Sequence, residues 1–176
     1  MKNICVLLIS LFCFGETVYS QNQSNTPNIK RYRVFLEMNH TINSTNSSYD
    51  HLELVGGCGS QFNSYVFLGG GTGIHYFNAG TDNVFMIPLF TDFRLNFSKK
   101  KITPSIGLKA GYSFHISSDD IYPPFVGGMY LCPSVGLKYR PLNDFVAANF
   151  SIAYTIQFMG FKGAYRGLSF IYGFEF

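Results

Sequence analysis

Between Ile102 and His115 every even-numbered residue is apolar: Ile102, Pro104, Ile106, Leu108, Ala110, Tyr112 and Phe114. The odd positions are Thr103, Ser105, Gly107, Lys109, Gly111, Ser113 and His115, and none is a large hydrophobe. Side chains of a strand alternate between two faces, whereas a helix returns to the same face every third or fourth residue. Pro104, Gly107 and Gly111 also oppose a helix interior. The segment therefore reads as a long strand with one oily and one polar face. Such a strand needs neighbours whose faces agree with its own.

Those neighbours recur along the chain. Phe145–Phe158 sets Val146, Ala148, Phe150, Ile152, Tyr154, Ile156 and Phe158 against Asn149, Ser151, Thr155 and Gln157. Phe85–Phe97, Met129–Tyr139, Tyr32–Ile42 and a last segment ending at Phe176 repeat the pattern, and the weaker Leu52–Ser60 and Tyr65–Phe77 bring the set to eight. Gln61–Ser64, Ser98–Lys101 and Arg140–Asp144 read as short polar turns. Asn43–Tyr49, Asn78–Asn83, His115–Phe125 and Met159–Gly163 read as more variable loops. An even number of strands with short turns at one end and longer loops at the other is the layout of a membrane β-barrel.

Composition decides which face looks out. The 176-residue chain is 47% hydrophobic and 18% aromatic but only 13% charged, about half the charge of an average soluble protein. No apolar run approaches the ~20 residues of a membrane helix. A lipocalin-like barrel would turn the oily face inward. However, the narrow bore of eight strands suits the Gly-, Ser- and Thr-rich face and a few charges, not several rows of bulky residues. The expected fold is an all-β, eight-stranded, up-and-down antiparallel transmembrane barrel, closed because lipid cannot satisfy a free strand edge. Both termini are then expected on the short-turn side.

The N-terminus stands apart. Lys2, the apolar stretch Ile4–Gly15 broken by Ser10, and the small-residue spacing at Val18 and Ser20 form a secretory signal, with cleavage expected after Ser20. The domain reading is signal peptide 1–20, polar leader 21–29 and barrel 30–176. A lipoprotein cut at Cys13 lacks the small residues that signal prefers, since Leu11 and Phe12 precede it. Cleavage leaves Cys58 on an outward phase and Cys132 on an inward one, which favours two free thiols over a disulfide. The net charge of +3 and the single basic run Lys99–Lys101 give no case for nucleic acid.

Taken together, Phe62–Gly73, Ile87–Phe97, Pro104–Phe114, Pro133–Tyr139 and Phe170–Phe176 resemble the small outer-membrane β-barrel proteins common in the Bacteroidota, relatives in architecture of the OmpA/OmpX-type barrels. The resemblance spreads over most of the mature chain. It implies an outer-membrane location in contact with lipid and lipopolysaccharide. It also implies that Phe170, Tyr172, Phe174 and the terminal Phe176 act as the signal read by the barrel-assembly machinery. It carries no catalytic residues and no cofactor.

Candidate chemistry is sparse. By phase, Arg33, Glu37, Glu53, Asp92, Arg94, Lys109, Lys138 and Glu175 point inward, as an ion path or as a salt-bridge network that fills the lumen; the narrow bore favours the network. Gly69–Gly73 lacks the following helix that a phosphate loop needs and is expected to make room for inward side chains. His40, His51, His75 and His115 are expected near the outer rim, without the short spacings of zinc sites. His115 and Ser117 match the His-x-Ser pair of a lipid-A deacylase built on eight strands, but Ser118 stands where that enzyme has Asn and no partner carboxylate is apparent. Arg166, with Lys162 nearby, has the outward phase of Leu168; it is either a lipopolysaccharide phosphate contact or a plain rim residue. Ile116–Phe125, with Asp119 and Asp120, is the best exposed contact loop. The functional expectation is a non-enzymatic outer-membrane protein serving envelope integrity or surface contact. The alternatives are a narrow pore or transport subunit and, third, a lipid-modifying enzyme.

Overall fold

The computed structural model describes residues 31–43, 51–79, 82–116, 127–141, 146–158 and 163–176. They form eight strands: β1 (Arg31–Asn43), β2 (His51–Gln61), β3 (Val66–Ala79), β4 (Asp82–Asn96), β5 (Ile102–Ile116), β6 (Gly127–Tyr139), β7 (Ala147–Phe158) and β8 (Ala164–Glu175). Each pairs antiparallel with the next, and β8 returns to β1 to close the barrel. Phe176 continues that seam beyond β8: its N–H donates to the Val34 carbonyl at 2.8 Å and its carbonyl accepts from Val34 N–H at 3.1 Å. No helix among the described residues is long and apolar enough to cross a membrane. The proposed signal peptide and leader, Lys162, Ser117, Ser118 and nearly all of the Ile116–Phe125 loop lie outside the described residues.

The short connections are built by local polar chemistry. Between β2 and β3, the Asn63 side-chain oxygen accepts from the N–H groups of Tyr65 and Val66, both at 2.8 Å. That Asx-type capture is why Asn drives tight turns. Between β4 and β5, Thr103 Oγ1 donates to the Lys100 carbonyl at 2.8 Å.

The barrel is apolar outside and polar within. Leu89 and Val135 are 60% exposed, while Glu53 is 0%, Glu175 1% and Lys138 4% exposed. Water would reward the reverse arrangement, since exposed apolar area costs roughly 25 cal/mol per Å² and buried charges cost more. The arrangement is stable with hydrocarbon as the outer solvent. Outward aromatics pair across strands, Tyr76 with Phe85 and Phe150 with Tyr172, each at 5.1 Å between ring centroids, as neighbouring side chains on one sheet face do.

The lumen departs from the expected small-residue filling. Phe35, Phe67, Phe77, Phe90 and Tyr130 all point inward and are almost fully buried. Glycine makes this possible. A Cβ at Gly57 would come within 2.6 Å of the Phe35 ring, one at Gly59 or Gly69 within 2.7 or 2.8 Å of Phe67, and one at Gly71 within 2.8 Å of Phe90. Gly69–Gly73 is thus continuous β3, with Gly69 making room for Phe67 of its own strand and Gly71 for Phe90 of β4, and not a phosphate loop.

Candidate functional site

The candidate site is the lumen itself. Toward the short-turn end lies an ionic layer. Glu37 on β1 pairs with Arg94 on β4 at 2.9 Å and with Lys109 on β5. Arg94 also grips Asp92 on its own strand, with Nε donating to Oδ1 and Oδ2 at 3.1 and 3.0 Å. It reaches toward Glu175 at 3.8 Å. Glu175 in turn pairs with Lys138 and lies 3.9 Å from Arg33. Glu37, Glu53, Asp92, Lys109, Lys138 and Glu175 are buried and Arg33 and Arg94 half-buried, and all of these but Glu53 join in this one network. The cavity among Glu37, Asp92, Arg94, Lys109 and Lys138 measures only about 30 Å³, room for about two water molecules.

Beside the ions sits an aromatic layer, Phe67 being the cross-strand partner of Arg94. Phe35 meets Phe67 edge-on at 6.2 Å and Phe90 at 6.4 Å, and Phe90 meets Tyr130 at 6.1 Å. Val55, Cys132, Ala153 and Ile171 complete the same buried cluster. The Arg94 guanidinium stands 4.6 Å from the Phe35 ring centroid and 5.3 Å from that of Phe67, a cation–π contact that joins the two layers.

The eighth inward charge, Glu53, belongs to a separate cluster nearer the long-loop end. Its Oε2 accepts from Asn39 Nδ2 at 2.9 Å and from Tyr130 Oη at 3.1 Å. His51 Nε2 lies 3.4 Å from Glu53 Oε1, and His75 Nε2 lies 3.7 Å from Oε2. This corrects the rim placement expected for two of the four histidines: His51 and His75 are 0% exposed. The reason is register. His75 is the direct cross-strand partner of Glu53, and His51 precedes Glu53 by two residues on the same face. His40 does face outward, and His115 pairs with Met86 in the β4–β5 ladder. Phe77, Met86 and Tyr165 form a further apolar layer.

Around these clusters hydroxyls and amides are linked. Ser169 Oγ lies 2.8 Å from Thr41 Oγ1 and 2.6 Å from Thr155 Oγ1, and Ser113 Oγ donates to Gln157 Oε1 at 2.7 Å. Cys58 and Cys132 are free thiols, Cys132 being buried. Arg166 is exposed on the outer face, as are Tyr172, Phe174 and Phe176.

Two solved structures share this architecture. The N-terminal β-barrel domain of Pseudomonas aeruginosa OprF superposes with a TM-score of 0.53 at 15% identity, covering 82% of this chain and 96% of that one. Neisserial surface protein A (NspA) superposes with a TM-score of 0.62 at 10% identity, covering 82% of this chain and 94% of that one. No protein-family model matches the chain, and no curated protein does. At such low identities the likeness concerns the fold: this chain is a closed, eight-stranded, all-antiparallel β-barrel of the kind seen in outer-membrane barrel proteins.

Proposed function

We propose that the chain is a non-enzymatic integral protein of a bacterial outer membrane, exported by its cleaved N-terminal signal, which supports envelope integrity or surface contact through its loops. The observation that carries the reading is a lumen filled, among the described residues, by ions, rings and a His–Glu cluster inside a shell of exposed apolar residues. A barrel so filled offers hydrocarbon a surface and offers solutes no path, which argues against the pore reading. In this view the ionic layer is structural, Arg166 meets lipopolysaccharide phosphate, and the terminal aromatics guide assembly. The resemblance to Bacteroidota barrels supports the same location.

The test pairs conductance with phenotype. Purified protein in planar bilayers gives no discrete ohmic steps, and a deletion strain shows raised sensitivity to bile salts or large antibiotics, or lost surface adhesion. Stepwise conductance from the wild-type chain would return the pore reading. An altered lipid-A mass spectrum in the deletion strain would return the enzyme.

A further inference from the structure

We propose that His51, Glu53 and His75 form an internal zinc site. His51 and Glu53 are two residues apart on β2, hence on one face, and His75 stands directly opposite Glu53 on β3. The three side chains are fully buried, and one ligand atom from each lies within 4.8 Å of the others.

Three observations point to an ion. First, both nitrogens of His51, both of His75 and Glu53 Oε1 make no hydrogen bond. Burying polar atoms unmatched is strongly unfavourable, and a single ion satisfies one nitrogen of each ring together with Oε1, taking one lone pair from each side chain. Second, the separations come close to those of zinc. Tetrahedral ligands at about 2.0–2.1 Å from the metal stand roughly 3.3–3.4 Å apart; His51 Nε2 is 3.4 Å from Glu53 Oε1 and His75 Nε2 is 3.7 Å from Oε2, so binding draws together the widest pair of a set that lies within 4.8 Å. Third, the carboxylate has its outer partners. Asn39 and Tyr130 both donate to Glu53 Oε2, which leaves Oε1 beside His51 Nε2 without a hydrogen bond, as outer hydrogen bonds orient metal-binding carboxylates.

Two imidazoles and one carboxylate favour zinc over magnesium or calcium, which take oxygen ligands. Phe77 stacks on the His51 ring at 3.9 Å and 6°, and Tyr165 closes in edge-on at 5.5 Å. So enclosed among the described residues, the ion clips β2 to β3 near the long-loop end. Its fourth position falls to water or to Asn39 Oδ1, another buried oxygen without a hydrogen bond.

The test uses the full mature chain, without a histidine tag, refolded in detergent. After dialysis against zinc, elemental analysis gives one zinc per chain. Cobalt(II) in its place gives the intense visible bands of a four-coordinate N/O site. Chelation lowers the temperature at which the folded gel band is lost, and zinc restores it. His75→Gln and Glu53→Gln lower affinity by more than the roughly 10–100-fold that loss of an outer partner costs, while His40→Ala, on the outer face, binds as wild type. The proposal is overturned if the wild-type chain retains no zinc above a protein-free detergent blank. It is equally overturned if His75→Gln, shown folded by gel mobility, binds zinc as tightly as wild type. Because the wild-type stoichiometry and cobalt spectrum need no variant, misfolding of a variant leaves the test intact.

Discussion

Glu37 is the residue on which the ionic layer turns, because it is the carboxylate shared by Arg94 and Lys109. Removing it strands the buried Lys109, whose ion pair is with Glu37, while Arg94 keeps Asp92, so Glu37→Ala should cost about 3–5 kcal/mol of unfolding free energy, measured by urea titration in lipid or detergent. Replacing the pair together, Glu37→Gln with Lys109→Met, should cost clearly less than Glu37→Ala, since no uncompensated charge replaces the lost bond. The glycines divide in a similar way. A Cβ at Gly71 would strike the Gly56 carbonyl at 2.6 Å as well as the Phe90 ring, whereas at Gly107 the one close atom is the mobile Ser134 hydroxyl at 2.7 Å. Gly71→Ala should therefore destabilise by about 1–3 kcal/mol and Gly107→Ala by much less, read in the same titration. Arg166→Ala should reduce co-purifying lipopolysaccharide without changing stability, and unchanged lipopolysaccharide would leave Arg166 a plain rim residue. At this scale the sequence was legible in direction but not in company. Period-two phase told which way Asp92 or Lys109 points. It could not tell that Phe35 and Phe90, on the same inward phase, would find ring-sized gaps opposite Gly57 and Gly71.

Along a single strand, the cost of a charge should follow depth. Leu89 lies at the middle of β4 and is 60% exposed, while Phe97 lies just past its end and is 61% exposed. Equal exposure isolates depth: Leu89→Arg should cost about 2–4 kcal/mol and Phe97→Arg about 0–1, compared by reversible unfolding in lipid vesicles. The seam between β1 and β8 gives another expectation. Phe176 exchanges both of its backbone hydrogen bonds with Val34, so deleting it should slow appearance of the folded gel band and leave more chain unassembled, by pulse-chase. Strands were the most readable level, because a long alternation survives small errors of boundary. β5, expected at Ile102–His115, is observed at Ile102–Ile116. β8 begins at Ala164, earlier than the alternation from Leu168 suggested, because Tyr165 and Gly167 continue its inward row.

For the whole molecule, closure and facing were legible because both follow from the solvent: a chain with so few charges and such regular oily faces has a low-energy closed form in hydrocarbon. The His–Glu cluster was not legible, because it depends on cross-strand register, which is set by turns whose geometry spacing alone does not give. That register carries His51 and His75 from the expected rim into the interior. The barrel also carries its own unfolding reporter. Cys58, paired with outward Val34, lies on the outer face and, in the proposed membrane setting, is within reach of a membrane-partitioning maleimide. Cys132 lies 0% exposed among Tyr130, Lys109 and Thr155, sealed from any reagent until hydrogen bonds between strands part. Counting labels per polypeptide over hours would thus clock spontaneous opening: one adduct marks an intact cylinder, and a second appears at the rate at which the wall gives way.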